Sequence, residues 1–192
     1  MKFQAKFLTS VKALSQCPED GKPEIALIGR SNVGKSTLLN AIVEQKQLAK
    51  TSSTAGKTQL INYFTVNDSF YLVDMPGYGY ARAAKDDRVE WAKVSEQYFL
   101  TRKTLVAVGI LIDARHETLE NDVAAVEWFA EKKIPFFLVL TKIDKVKQQD
   151  VARHEKLLKT SIFPALGTIK TSSVKKKGIG ELRALILKLL AE

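Results

Sequence analysis

Eight residues, Gly29-Arg-Ser-Asn-Val-Gly-Lys-Ser36, place two glycines, a lysine and a hydroxyl at the spacing of a phosphate-binding loop. Such a loop lets the backbone of Gly29, Arg30, Ser31, Asn32, Val33 and Gly34 curl so that successive N–H groups face phosphate oxygens. Lys35 is expected to reach the β and γ phosphates as a catalytic cation, and Ser36 to offer its hydroxyl to Mg²⁺. Thr37 continues into a helix whose positive N-terminal end faces the same charge. The chemistry these residues point to is the binding of a nucleoside triphosphate with Mg²⁺.

A second tetrapeptide speaks to the base. Thr141-Lys-Ile-Asp144 follows the apolar run Ile134 to Leu140, which puts it at the carboxyl end of a buried strand, where open α/β sheets hold ligands. A carboxylate accepts two hydrogen bonds, and guanine presents two adjacent donors where adenine does not, so Asp144 selects guanine. The stem of Lys142 is expected to lie along the base, with Ile143 beside it and Thr141 tying the segment to the phosphate loop.

Asp74-Met75-Pro76-Gly77 follows the strand-like run Ser69 to Val73. Mg²⁺ in phosphate sites keeps several waters and takes one or two protein groups, so Asp74 is expected to hold it through a water. Gly77, without a side chain, lets its N–H approach the γ-phosphate and gives it a catalytic role. Upstream, the polar stretch Thr51 to Thr58 reads as a loop, and Thr58 is expected to complete the Mg²⁺ shell and to act in catalysis. Thr171, Ser172 and Ser173 end a β-biased run and are suited to closing over the guanine O6 with backbone N–H groups.

The elements needed to position these motifs are legible. Glu24 to Ile28 is a strand-length apolar run, Gln59 to Val66 and Ser69 to Val73 flank an Asn67-Asp68-Ser69 turn as a hairpin, and Leu105 to Ile112 reads as a further strand. Asp86 to Leu100 reads as a helix; Leu119, Val123, Val126 and Ala130 share a face of the next, and Leu182, Leu185, Ile186, Leu189 and Leu190 form a stripe in the last. The expectation is a three-layer, Ras-like α/β P-loop NTPase fold. Its mostly parallel sheet has six strands, one of them an antiparallel edge strand, and about five helices pack against it. One domain spans 1–192, with a short N-terminal extension over 1–22.

In their order, these segments resemble a translation-factor-type small GTPase. The wording Gly29 to Ser36, then Gly56-Lys57-Thr58-Gln59-Leu60-Ile-Asn62, then Asp74-Met-Pro-Gly-Tyr-Gly-Tyr-Ala81, resembles the EngB (YihA/YsxC) family of bacterial GTPases, from about Phe7 onward. The resemblance implies that Gly56, Lys57, Gln59 and Leu60 join the GTP/GDP site. It also implies slow GTP hydrolysis as a molecular switch in assembly of the large (50S) ribosomal subunit, needed for normal division and septation. The rival readings are an ATP-using P-loop enzyme, which Asp144 disfavours, and a basic RNA-binding assembly scaffold whose nucleotide site regulates rather than catalyses.

Composition agrees with these expectations. The net charge of +9, from 30 basic and 21 acidic residues, asks for an anionic partner larger than one nucleotide, and ribosomal RNA satisfies it. Candidate phosphate contacts are Lys175, Lys176, Lys177, Arg82, Lys85, Arg88, Lys93, Arg102 and Lys103. One cysteine, Cys17, forms no intrachain disulfide and suits the cytoplasm, and no apolar run is long enough for a membrane span or signal peptide. A cytoplasmic monomer is expected. Ras-like proteins orient the attacking water with a glutamine after the Asp-x-x-Gly glycine, but Tyr78 stands there, so hydrolysis should be slow and stimulated by a ribosomal particle. Asn32 adds K⁺ as a further candidate cofactor, on the pattern of related GTPases with asparagine at that place.

Overall fold

The computed structural model describes residues 3–45, 47–49, 60–78, 85–116, 120–151 and 165–192, with the backbone alone over 85–92. The apolar runs become buried strands: β2 (Glu24–Gly29), β5 (Leu105–Asp113) and β6 (Phe136–Thr141) pair in parallel, as near-continuous hydrophobic runs do when covered on both faces. β7 (Thr168–Lys170) continues this parallel set beyond β6, and β4 (Phe70–Asp74) lies parallel on the other side of β2. β3 (Ile61–Val66) returns antiparallel to β4 through a turn in which Asn67 and Asp68 both have positive φ, the requirement of a tight primed turn.

Among the described residues the sheet has seven strands rather than the six expected. The additional one is β1 (Ala5–Val11), which pairs antiparallel with β3, so that the sheet runs β1-β3-β4-β2-β5-β6-β7. Among the described residues the only strand running against the rest is therefore β3, one place in from the edge, and much of the supposed N-terminal extension belongs to the sheet. Pattern reading misses β1 for a physical reason: as an edge strand it buries only its end residues, leaves Phe7 and Leu8 about half exposed, and breaks its alternation at a register shift between Phe7 and Thr9.

Successive residues along each strand feed two cores. Ile25, Leu27, Leu72, Leu111, Phe137 and Val139 face α1 (Lys35–Ile42) and the C-terminal helix α4 (Ile179–Leu189), whose Leu182, Ile186 and Leu189 are buried. Ala26, Ile28, Tyr71, Val73, Ile110, Leu138 and Leu140 face α2 (Lys85–Thr101) and α3 (Glu120–Glu131), through Tyr98, Phe99, Val126 and Phe129. Four α-helices are thus present among the described residues, and helical backbone begins again at 148–151. The result is the expected three-layer α/β architecture. β2 lies between β4 and β5, so successive crossovers leave in opposite directions and open a crevice beyond its carboxyl end. None of the described helices is long and apolar enough to cross a membrane.

Candidate nucleotide site

The loop joining β2 to α1 fills that crevice. Gly29 is required by packing, since a Cβ there would meet Leu111 Cβ, the Leu111 carbonyl oxygen and Val33 Cγ1, each at 2.9 Å. Gly34, the residue capping α1, is required by conformation, with φ of 103°. Asn32 is also left-handed, with φ of 61°. Val33 is buried, Arg30, Ser31 and Ser36 are half-buried, and Thr37 is exposed on the first turn of α1.

Asp74 ends β4 beside Leu27, and the Met75 N–H donates to the Leu27 carbonyl at 3.0 Å. Met75 and Pro76 are buried and Gly77 is half-buried. Lys35 Nζ donates to Asp74 Oδ1 as an ion pair in which both side chains are at least nine-tenths buried. Lys35, expected to reach the phosphates, and Asp74, expected to serve the Mg²⁺, thus share one spot. The donor set fits Mg²⁺: it is made of oxygens, a hydroxyl at Ser36 and a carboxylate at Asp74, the hard ligands this ion takes in small number.

The Thr141 to Asp144 segment is tied to the loop between β2 and α1. Thr141 Oγ1 donates to the Val33 carbonyl at 2.8 Å, and Asp144 sits in a single 3₁₀ turn, Ile143–Lys145. Thr171 and Ser172 are buried just beyond β7, with the Thr171 N–H on the Leu140 carbonyl at 2.7 Å and the Ile143 N–H on the Thr171 carbonyl at 3.3 Å. A hydrogen bond from the Ser172 side chain is the main cause holding the Asp144 carboxyl below its ordinary range, helped by Lys145 and Lys175. Ser173 is half-buried next to it.

One participant escaped sequence reading. Asp113, the last residue of β5, accepts from Lys142 Nζ at 2.8 Å and from Arg115 Nη2 at 2.8 Å. Burial raises its carboxyl, but these hydrogen bonds outweigh that and hold it at about 2. Lys142, itself left-handed with φ of 58°, also donates to the Asn32 carbonyl, so its stem crosses toward Gly34 with its Cε 3.6 Å from where a Cβ there would stand. The available signal was an acid closing a long apolar run, the same signal that Asp74 carries.

Four predicted segments therefore converge at the carboxyl ends of β2, β4, β6 and β7: Gly29 to Thr37, Asp74 to Gly77, Thr141 to Asp144 and Thr171 to Ser173. Leu60 is half-buried directly before β3, whereas Gly56, Lys57, Thr58 and Gln59 lie outside the described residues, as do Arg82 and Leu119. Among the expected RNA contacts, Arg102 is withdrawn by the structure. Its guanidinium is spent internally, on Glu24 at 2.7 Å and on the Pro18 carbonyl. Lys93, Lys103 and Lys175 to Lys177 are exposed.

Fold and site together define a P-loop GTPase of the Ras-like class. The family described as 50S ribosome-binding GTPase matches residues 24–142. A curated relative from Geobacillus thermodenitrificans (strain NG80-2), named Probable GTP-binding protein EngB, is 43% identical over 191 residues, 98% of each chain. One of the same name from Prosthecochloris aestuarii (strain DSM 271 / SK 413) is 46% identical over 174 residues, 91% of each. Among solved structures, a probable GTP-binding protein engB superposes with a TM-score of 0.70 at 22% identity, covering 88% of this chain and 98% of that one. Aquifex aeolicus Era Y63A bound to GDP.AlF4- gives 0.72 at 23%, covering 88% and 57%, and at such identities both speak for the fold alone. The chain belongs to the EngB family of GTP-binding proteins and is a GTPase.

Proposed function

We propose that this GTPase is a nucleotide-dependent switch on the large (50S) ribosomal subunit during its assembly in the cytoplasm, acting as a monomer on ribosomal RNA. The observation that carries the nucleotide part is the Thr141 hydroxyl on the Val33 carbonyl, because it binds the base reader and the phosphate cradle into one frame that a single guanine nucleotide spans. The ribosomal part is supported by the family's description and by the net charge of +9. The dependence of cell division and septation on it comes with the family resemblance.

In this reading Asp144 accepts from the guanine ring N–H and amine, held ready by Ser172, while backbone N–H groups of Ser172 and Ser173 meet O6. The N–H groups of Gly29 to Thr37 and the Lys35 ammonium hold the phosphates, and the family resemblance adds Gly56, Lys57, Gln59 and Leu60 to the same site. Ser36, Thr58 and, through water, Asp74 would hold Mg²⁺, which would supply neutralisation of the phosphate charge. Water attacks the γ-phosphorus, the bond to the bridging oxygen breaks, and GDP and phosphate leave. Tyr78 does not orient that water, because its phenol is engaged with Asp122. Intrinsic turnover is then slow, about 10⁻⁴ to 10⁻² per second as for unassisted P-loop GTPases, and a ribosomal particle accelerates it. The K⁺ expectation at Asn32 is checked by comparing turnover in KCl and NaCl, equal rates excluding it.

The test of the switch is sedimentation with 50S particles in a non-hydrolysable GTP analogue against GDP. Co-sedimentation with the analogue and release with GDP is expected; the same distribution in both states removes the switch, and no co-sedimentation in either removes the particle.

A further inference from the structure

Tyr78 follows Gly77 and is fixed at both ends. Its main chain forms a parallel bridge with Arg30, carrying the β2–β4 pairing past Asp74 onto the phosphate loop. Its phenol donates to Oδ1 of Asp122, on the first turn of α3, at 3.0 Å. Asp122 is 4% exposed, so this acceptor is held by the helix rather than waving in solvent. The ring also forms part of the wall of a groove of about 400 Å³ between α2 and α3, with Ile28, Phe99, Ala125, Trp128 and Phe129. Phe99, Trp128 and Phe129 pack edge to face with one another, and Tyr78 packs against the core cluster that holds Phe99 and Phe129. Burial and the Asp122 charge push the phenol well above its ordinary value, so it remains a donor at every working pH.

A residue anchored this way controls the peptide before it. Tyr78 has two attachments, one to the phosphate loop and one to α3, and along the chain Gly77 lies between Asp74 and this doubly held residue. An amide already in place pays less ordering entropy when a phosphate oxygen arrives than one that must be found by a mobile chain.

We propose that the Tyr78–Asp122 hydrogen bond is a positioning latch for the Gly77 amide, through which α3 sets how strongly the protein prefers GTP to GDP. This rests on the reading of Gly77 as the γ-phosphate contact. Neither latch residue is a catalytic residue; both act through the backbone of Gly77. Because Tyr78 also lines the α2–α3 groove, the latch joins the phosphate end of the site to that face of the molecule.

The test measures dissociation constants for GDP and a non-hydrolysable GTP analogue on the full chain, by displacement of a fluorescent guanine nucleotide. The set is wild type, Gly77→Ala, Tyr78→Phe, Asp122→Ala and Asp122→Asn, with melting curves to establish folding. Tyr78→Phe and Asp122→Ala should weaken the GTP analogue about three- to tenfold, the worth of one hydrogen bond, and leave GDP within about twofold. Asp122→Asn keeps an acceptor oxygen and should restore the wild-type ratio. A Tyr78→Phe protein with an unchanged ratio, or with both nucleotides weakened equally, overturns the latch. If Gly77→Ala shifts the ratio while Tyr78→Phe does not, the latch alone fails; if Gly77→Ala leaves it unchanged, the γ-phosphate reading and the latch fall together.

Discussion

Asp113 and Asp144 show how one side-chain type is given different tasks by its neighbours. Asp113 spends its oxygens on Lys142 and Arg115, which immobilises the ammonium and lays the lysine stem across the site. With a folded value of about 2 against an ordinary 3.8, its contribution is fully present above about pH 4 and is lost as pH falls through about 2. The size is about 2 kcal/mol. Asp113→Asn should therefore lower stability by up to that amount at pH 7, and flatten the decline between pH 4 and 2, read from denaturant midpoints at several pH values. Asp144 has oxygens left for a ligand, with Ser172 and nearby lysines keeping it ionised. Asp144→Asn should move nucleotide preference from guanine toward xanthine, whose extra carbonyl suits the new amide donor. A variant binding GTP as tightly as before would refute the base assignment.

At the scale of elements, Glu24 fastens the end of the sheet opposite the site. Fully buried at the start of β2, it accepts from Tyr63 on β3 at 3.1 Å, Tyr98 on α2 at 2.6 Å, Thr104 at 2.7 Å and Arg102 at 2.7 Å. Arg102 in turn reaches the Pro18 carbonyl, so strand, helix and N-terminal segment are locked together. Glu24→Ala strands the guanidinium of Arg102, which is 18% exposed, and should cost about 3 kcal/mol, at the lower end for broken buried pairs. Denaturant unfolding checks this, and GDP affinity of the folded variant should stay within about twofold, since the cluster sits at the other end of β2. Sequence reading found the strand Glu24 to Ile28 but not this cluster, because period and composition report which face is buried and not which distant residues meet there. The phosphate loop, Asp74 and the Thr141 segment were legible because their chemistry is local: each lies within a few residues of the strand that aims it. Glu24, Asp113 and the Tyr78–Asp122 pair become visible only once the sheet order sets their partners side by side. β1 was hidden for the complementary reason, an edge strand having too little buried surface to write a pattern.

For the whole molecule the question is where its +9 charge acts. Arg102 is consumed inside, which moves weight to the turn after Ser172, where Lys175, Lys176 and Lys177 are all exposed beside Val174, itself 74% exposed. This turn is held open rather than loose: Ser172 and Lys177 exchange two backbone hydrogen bonds of 3.0 Å, and the Lys175 N–H donates to Ser172 Oγ at 3.1 Å. Three lysines on a fixed turn can each neutralise one RNA phosphate, and every phosphate so neutralised adds about 0.7 to 0.9 to the slope of log affinity against log salt. Replacing the three by alanine should then reduce that slope by about 2 to 3 in titrations with large-subunit particles from 50 to 300 mM KCl, buffer values chosen around the usual screening range. Because Ser172 also supports Asp144, GDP affinity must be measured on the same variant. An unchanged GDP affinity with a lower slope places the RNA on this turn; an unchanged slope moves the contact elsewhere on the surface, and a flat wild-type response takes the RNA backbone out of the interaction, since a contact made of lysine and phosphate cannot be indifferent to salt.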